Sequence, residues 1–208
     1  MNGERFVEQV RAELTTELDR LGSDKYLIAA TGADLAEAAV LDSVARTAVS
    51  GRETFERWAE SETGPAADTF ESAAETERAH LDLLADRLDE VPGDPGDDAV
   101  HEVLGEAETT VSRAGALVGR GLVADRARLQ VVNFFVNEID SAGADLAREL
   151  RSDANGQVTA GATLLGAVCD DEGDWETARK HAERVVEASY DEYASALEAM
   201  GVDPRPVC

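Results

Sequence analysis

The chain has 208 residues, of which 44 are acidic and 19 are Lys or Arg, giving a net charge of -25 at pH 7. That length can bury a hydrophobic core without disulfide or metal crosslinks. The charge disfavours direct nucleic-acid binding, because such binding depends on cations that contact phosphate. The two cysteines are too few for a disulfide scaffold or a cysteine zinc site, and no apolar run predicts a membrane span.

The acid excess also indicates the conditions in which the protein works. Such a surface repels itself in dilute buffer, whereas molar salt shortens the Debye length to roughly 3 Å. The only lysines are Lys25 and Lys180, and the N-terminus lacks the apolar segment of a signal peptide. We therefore expect a halophilic, cytoplasmic protein whose partner is a second copy or another protein, with no membrane involved.

The N-terminal segment, residues 1–31, predicts helices packed on the outside of a larger bundle. One apolar stripe at helical spacing consists of Phe6, Val10, Leu14, Leu18 and Leu21. Gly22 is suited to end this helix. Ser23 or Asp24 then begins a short helix that ends near Thr31.

Residues 34–91 predict a hairpin of two long helices. The first runs from about Asp34 to Glu62, and Gly64-Pro65 restarts the chain with proline at a first helical position. The second helix reaches about Val91. The Pro- and Gly-rich segment 92–96 then predicts a loop.

Residues 97–201 predict the remaining helices. One starts at Asp97 or Asp98 and is weakened by Gly119 and Gly121, and further helices span about 123–151, 157–169 and 174–200, with a break at Asn155-Gly156. No long strand pattern occurs. The prediction is a single all-α domain over 1–208, a four-helix bundle with an additional N-terminal helix and short extra helices.

One constellation of residues resembles a functional site. The buried stripe of the second long helix is formed by Phe70, Ala74, Leu81, Leu84 and Leu88. Glu77 falls at the centre of this stripe, and His80 lies one turn later at its edge. A buried carboxylate must be paired or bind a metal, and Glu-x-x-His is the ligand pair of di-iron bundles. Glu77 and His80 are therefore candidate metal ligands.

The segment 48–84 resembles the first helical hairpin of rubrerythrin-type ferritin-like proteins. The aromatic-rich run 55–59 is similar to their first helix, and Glu77-x-x-His80 is similar to their second-helix ligand pair. This resemblance implies a ferritin-like four-helix bundle and iron as the cofactor. The family's first helix also supplies a glutamate about seven residues before the aromatic residue, where this chain has Ala48.

The second half of the chain lacks the matching ligand pair. A register that aligns the last helix with the second one places Val186 opposite Glu77 and Ser189 opposite His80. Two ligands cannot hold a two-iron centre. The sequence thus favours a ferritin-like protein with an incomplete di-iron site and a non-catalytic binding or regulatory role.

Two other functions stay open. The first is a di-iron oxidoreductase or peroxidase with shifted ligands, for which Glu37, Asp42 and Glu183 are candidates. The second comes only from resemblance, since the chain is similar to acidic haloarchaeal-type proteins labelled as transcription antitermination proteins.

Glu77 also has a purely structural interpretation. In that case the buried acid is satisfied by His80, by an arginine, or by Tyr190 or Tyr193. It would then belong to a small buried network that sets helix register.

Overall fold

A computed structural model describes residues 1–96 and 98–205, and every regular element in those ranges is an α-helix. The helices are α1 (Gly3–Glu13), α2 (Thr15–Leu21), α3 (Lys25–Thr31), α4 (Glu37–Ser61), α5 (Pro65–Ala85), α6 (Ala99–Gly105), α7 (Thr110–Asn137), α8 (Ser141–Val168) and α9 (Glu172–Ala199). The all-α prediction is confirmed. Within the same residues, no helix has both the length and the apolar composition that crossing a membrane requires.

Two antiparallel hairpins form the centre of the molecule. The α4–α5 hairpin is joined along its exposed side by ion pairs from Arg78 to Glu56 at 2.9 Å and from Arg87 to Glu37 at 2.8 Å. The second hairpin consists of α7 and α8, and α9 packs against α7. Helices α1 to α3 pack against α7, α8 and α9.

The second half of the chain divides into helices differently from the sequence prediction. Helix α7 runs through Gly119 and Gly121, and α8 continues through Asn155-Gly156. The break lies instead at residues 138–140, where Ile139 adopts a left-handed φ of 59°. Each hairpin therefore has two long helices joined by a short connection.

The glycines of α7 lie where neighbouring helices approach closely. A Cβ on Gly119 would lie 2.6 Å from the carbonyl oxygen of Ala182 in α9, and one on Gly121 would lie 2.6 Å from Val158 in α8. Glycine weakens an isolated helix by about 1 kcal/mol. Here tight packing on both neighbours compensates for that loss, so the helix does not break.

Side-chain caps define where the later helices start. Asp98, Asp140 and Asp171 each accept hydrogen bonds from backbone N–H groups in the first turn of α6, α8 and α9. Thr109 does the same for α7 and forms a reciprocal capping box with Ser112. Such caps satisfy donors that have no partner within the helix.

The buried residues form two apolar clusters along the bundle. One contains a chain of aromatic contacts in which Trp58 lies 5.5 Å from Phe55 and 5.2 Å from Phe70 between ring centroids. The other contains Leu84 and Phe135. On α5, Glu77 and His80 lie between the residues that belong to the first cluster and those that belong to the second. A polar layer therefore separates two apolar layers.

Candidate functional site

Glu77 lies in the interior, as its position at the centre of the helical stripe predicts, and His80, which is expected at the edge of the stripe, is equally buried. Each is 1% exposed. Helix α5 places them one turn apart, and the Nδ1 atom of His80 lies 3.3 Å from the Oε2 atom of Glu77. The burial of Glu77 is the part of the site prediction that the structure confirms.

Glu77 is bonded by two further side chains, both from the α7–α8 hairpin. Arg120 on α7 donates from Nη1 to Oε1 at 2.6 Å, and Gln157 on α8 donates from Nε2 to the same oxygen at 2.7 Å. Arg120 also donates to the Oε1 atom of Gln157 at 3.1 Å. The carboxylate is therefore hydrogen-bonded from three helices and neutralised by a buried guanidinium.

The face of α4 that meets Arg120 is shaped to hold its guanidinium. The Nη2 atom donates to the carbonyl oxygen of Thr47 at 2.7 Å, and the guanidinium carbon lies 5.1 Å from the centroid of the Phe55 ring. Between them lies Gly51, where a Cβ would overlap the guanidinium and lie 3.1 Å from the carboxyl carbon of Glu77. Glycine at this position leaves the space that the ion pair occupies.

His80 connects the network to the outside. Its Nε2 atom lies 3.0 Å from the Oδ2 atom of Asp153 on α8, whose side chain is 42% exposed. The two carboxylates therefore lie on opposite sides of one imidazole ring. They cannot both join His80 in binding a single ion.

The charges around Glu77 favour its ionised form. Burial by itself raises the pKa of Glu77, but attraction to the Arg120 guanidinium and hydrogen bonding to His80 outweigh it. The pKa of the carboxyl is consequently held well below its ordinary value of 4.5. An ionised carboxylate with a bound guanidinium is an internal ion pair.

The donor set does not fit a di-iron centre. Arg120 takes the place beside Oε1 that a metal cation would need, and Ala48, at the position where the resemblance implies a first-helix glutamate, is an apolar, fully buried side chain. Among residues 1–96 and 98–205, no three His, Cys, Asp or Glu side chains are grouped so that they could hold a metal ion. The ligand assignment to Glu77 and His80 stays a prediction.

The sequence register predicts that Val186 and Ser189 of the last helix lie opposite Glu77 and His80, but α9 supplies none of the hydrogen bonds to Glu77. The hydrogen bonds to Glu77 come from α5, α7 and α8, whereas Val186 of α9 belongs to the apolar core and Ser189 lines a cavity. The three candidates for shifted metal ligands form ion pairs away from Glu77. Glu37 pairs with Arg87, Asp42 with Arg46, and Glu183 with Arg179.

Arg120 and Gln157 are the residues that the sequence interpretation missed. Arg120 lies between Gly119 and Gly121 in the middle of an otherwise apolar run. A single cation flanked by glycines on a buried helix is a usable signal, since it needs a buried anion as partner and close helix packing around it. Gln157 gives no comparable signal.

Comparison with known proteins identifies no relative: no family model, curated protein or solved structure matches this chain.

Proposed function

We propose that the chain is a non-catalytic binding protein, built on a ferritin-like helical bundle, in which an internal ion pair occupies the place of a di-iron centre. The observation that carries this proposal is the 2.6 Å bond from Arg120 Nη1 to Glu77 Oε1. A cation fixed by the protein neutralises the negative charge of the carboxylate, so the carboxylate attracts a metal ion much less strongly. The network then serves to hold the two hairpins in register.

The position of the network supports the same interpretation. It joins α4, α5, α7 and α8, which are the four helices of the two central hairpins. A di-iron protein of the rubrerythrin type would carry ligands from both of its hairpins in that layer. Here the α7–α8 hairpin contributes an arginine and an amide instead.

The acidity of the chain fits a halophilic protein. A net charge of -25 is tolerable when molar salt screens the surface. The ion pair between Glu77 and Arg120 is nearly inaccessible, with side-chain exposures of 1% and 6%, so salt screens it far less than the surface.

Metal analysis of protein purified without chelator tests this proposal. Because an acidic surface binds cations loosely, the wild type is compared with Glu77→Gln, which removes the buried carboxylate and leaves the surface unchanged. We expect less than one equivalent of iron in both proteins, and a melting temperature that chelator does not alter.

The opposite result would be two irons per chain in the wild type, lost in Glu77→Gln, with an oxo-bridge absorption band. That outcome would establish the shifted-ligand oxidoreductase and overturn the non-catalytic proposal.

A further inference from the structure

A second polar region lies on another side of Arg120. A partly open cavity of about 250 Å³ is lined by α3, α4, α7, α9, the start of α6 and the segment that leads into α6. Its volume is just below the roughly 300 Å³ at which pockets for drug-sized ligands begin. Much of its α7 wall is apolar, formed by Val123, Ala124 and Ala127. The space suits a small molecule with an apolar body.

One buried cation that faces this cavity has no partner among the described residues. Arg128 on α7 is 3% exposed and lines the cavity, and its Nε atom is buried without a hydrogen bond. Within residues 1–96 and 98–205, no hydrogen bond or ion pair involves this side chain. Because arginine stays protonated in proteins, an unpaired charge is left in the interior, where it is costly.

The electrostatics around Arg128 agree with that geometry. Burial lowers the pKa of Arg128, and repulsion from Arg120 adds to this effect. The attractions of Glu77 and Asp153 oppose it without cancelling it. Since Glu77 is already bonded to Arg120, no anion among residues 1–96 and 98–205 forms an ion pair with Arg128.

Two hydroxyl groups line the same cavity, also without a hydrogen bond to described residues. They belong to Tyr26 on α3 and to Ser189 on α9. Burial raises the pKa of Tyr26 to about 12, with the neighbouring acids adding to the shift and Arg128 opposing it. The phenol therefore keeps its proton and is available as a donor. Donors on three different helices thus face one space.

Two acids among the described residues line the cavity, Asp98 and Glu192. Asp98 caps α6, where it accepts from the N–H groups of Val100 and His101. Glu192 is the other acid of the cavity wall, and desolvation together with the Asp98 carboxylate raises its pKa. Neither carboxylate pairs with Arg128. The cavity therefore combines the cation of Arg128 with two acidic groups in its wall. These acids would repel a ligand that carries a second negative charge.

We propose that this cavity binds a small organic anion with a single carboxylate. The carboxylate pairs with the Arg128 guanidinium, the Tyr26 and Ser189 hydroxyls donate to it, and the apolar body lies against the alanines of α7. This inference rests on the proposed binding function and names its ligand class. A planar guanidinium binds a carboxylate through two parallel hydrogen bonds, which makes the pair strong and directional.

Calorimetric titration tests the proposal with defined probes. Butyrate and benzoate are the carboxylates, butyramide and benzamide are neutral controls of the same shape, and inorganic phosphate is the alternative anion. Ionic strength is held constant with potassium chloride. The proteins are wild type, Arg128→Met, Tyr26→Phe and the control Arg126→Met, whose side chain is 36% exposed and lies 3.7 Å from Asp19.

We expect at least one carboxylate to bind the wild type while its amide does not. Arg128→Met should weaken binding by at least about tenfold, Tyr26→Phe by a smaller factor, and Arg126→Met by less than about twofold. Circular dichroism establishes whether each variant is folded. If Arg128→Met does not fold, the weaker binding expected for Tyr26→Phe still tests the proposal.

Two results would overturn the proposal. One is that neither carboxylate binds, or that both bind Arg128→Met as tightly as the wild type. The other is that phosphate binds more tightly than either carboxylate, which would exclude the ligand class. Failure here is distinct from failure of the non-catalytic assignment, because iron content is measured separately and does not depend on Arg128.

Discussion

Helix α7 carries two buried arginines whose surroundings differ sharply. Arg120 is 5% exposed and Arg128 is 3% exposed, and they lie about 12 Å apart along the helix. Arg120 is bonded to Glu77, Gln157 and the carbonyl of Thr47. Arg128 has no such bonds within the described residues and faces a cavity.

The difference separates a charge used for structure from one available for binding. A buried ion pair with all its hydrogen bonds made is strongly damaged when one partner is removed. A buried charge without a partner is a cost to the folded state, so its removal is tolerated. Burial alone therefore does not distinguish the two roles, and the bonding partners do.

Replacing Arg120 with Met should have the largest effect. Glu77 would remain buried without its cation, and we expect the free energy of unfolding to fall by about 3–5 kcal/mol. Urea denaturation at constant salt measures the change. The matched control is Arg126→Met on the same helix, where the ion pair is partly exposed and we expect a change below about 1 kcal/mol.

A double variant shows whether the loss comes from the stranded charge. Glu77→Leu combined with Arg120→Met removes both charges, and it should recover much of the stability lost in Arg120→Met alone. If the double variant instead loses as much stability as Glu77→Leu and Arg120→Met lose together, the ion-pair interpretation is contradicted.

Acidification should weaken the same pair from the side of Glu77. Its pKa is lower in the folded protein than the ordinary 4.5, so below that pH the unfolded chain binds more protons than the folded one. Stability from this group is present above pH 4.5 and is lost as the pH falls towards the folded pKa. The loss for one group reaches about 1.4 kcal/mol per pH unit.

The measurement compares unfolding curves of wild type and Glu77→Gln across that acidic range. The wild type should lose stability more steeply than Glu77→Gln. The exposed Glu75 on the same helix supplies the control Glu75→Gln, whose slope should match the wild type. Equal slopes for wild type and Glu77→Gln would refute the assignment.

Filling the space at Gly51 should have an intermediate effect. Gly51→Ala places a Cβ against the guanidinium of Arg120, and overpacking of this kind costs about 1–3 kcal/mol. Gly156 lies in α8 with nothing near its added Cβ, so Gly156→Ala should instead stabilise by about 0.5–1 kcal/mol. Thermal unfolding of both variants is the check, and stabilisation of Gly51→Ala would be the contrary result.

Replacing Arg128 with Met should have the smallest effect on stability. No hydrogen bond within the described residues is lost, and we expect a change within about 1 kcal/mol, towards stabilisation. Urea denaturation without added carboxylate tests this. A loss as large as that of Arg120→Met would show that the protein itself uses the charge.

The sequence predicts the burial of Glu77 but not its main partners. Helical periodicity acts over a few turns, so it locates Glu77 on a buried face and leaves an unnamed arginine among the alternatives. Arg120 is 43 residues further along, and its approach depends on how two hairpins pack. The same limit applies to the helix boundaries, since packing at Gly121 keeps α7 intact where local propensity predicts weakening.

The close approach of α7 and α9 has a geometric consequence for the cavity. The two helices touch where Gly115 meets Ala178 and Gly119 meets Ala182, and the cavity lies between them further along, at Arg128 and Ser189. Ser189 is seven residues beyond Ala182, which is about 10 Å along the axis. A change of about 5° in the crossing angle at this contact moves Ser189 by about 1 Å. The crossing angle of α7 and α9 at the glycine contact therefore sets the width of the cavity.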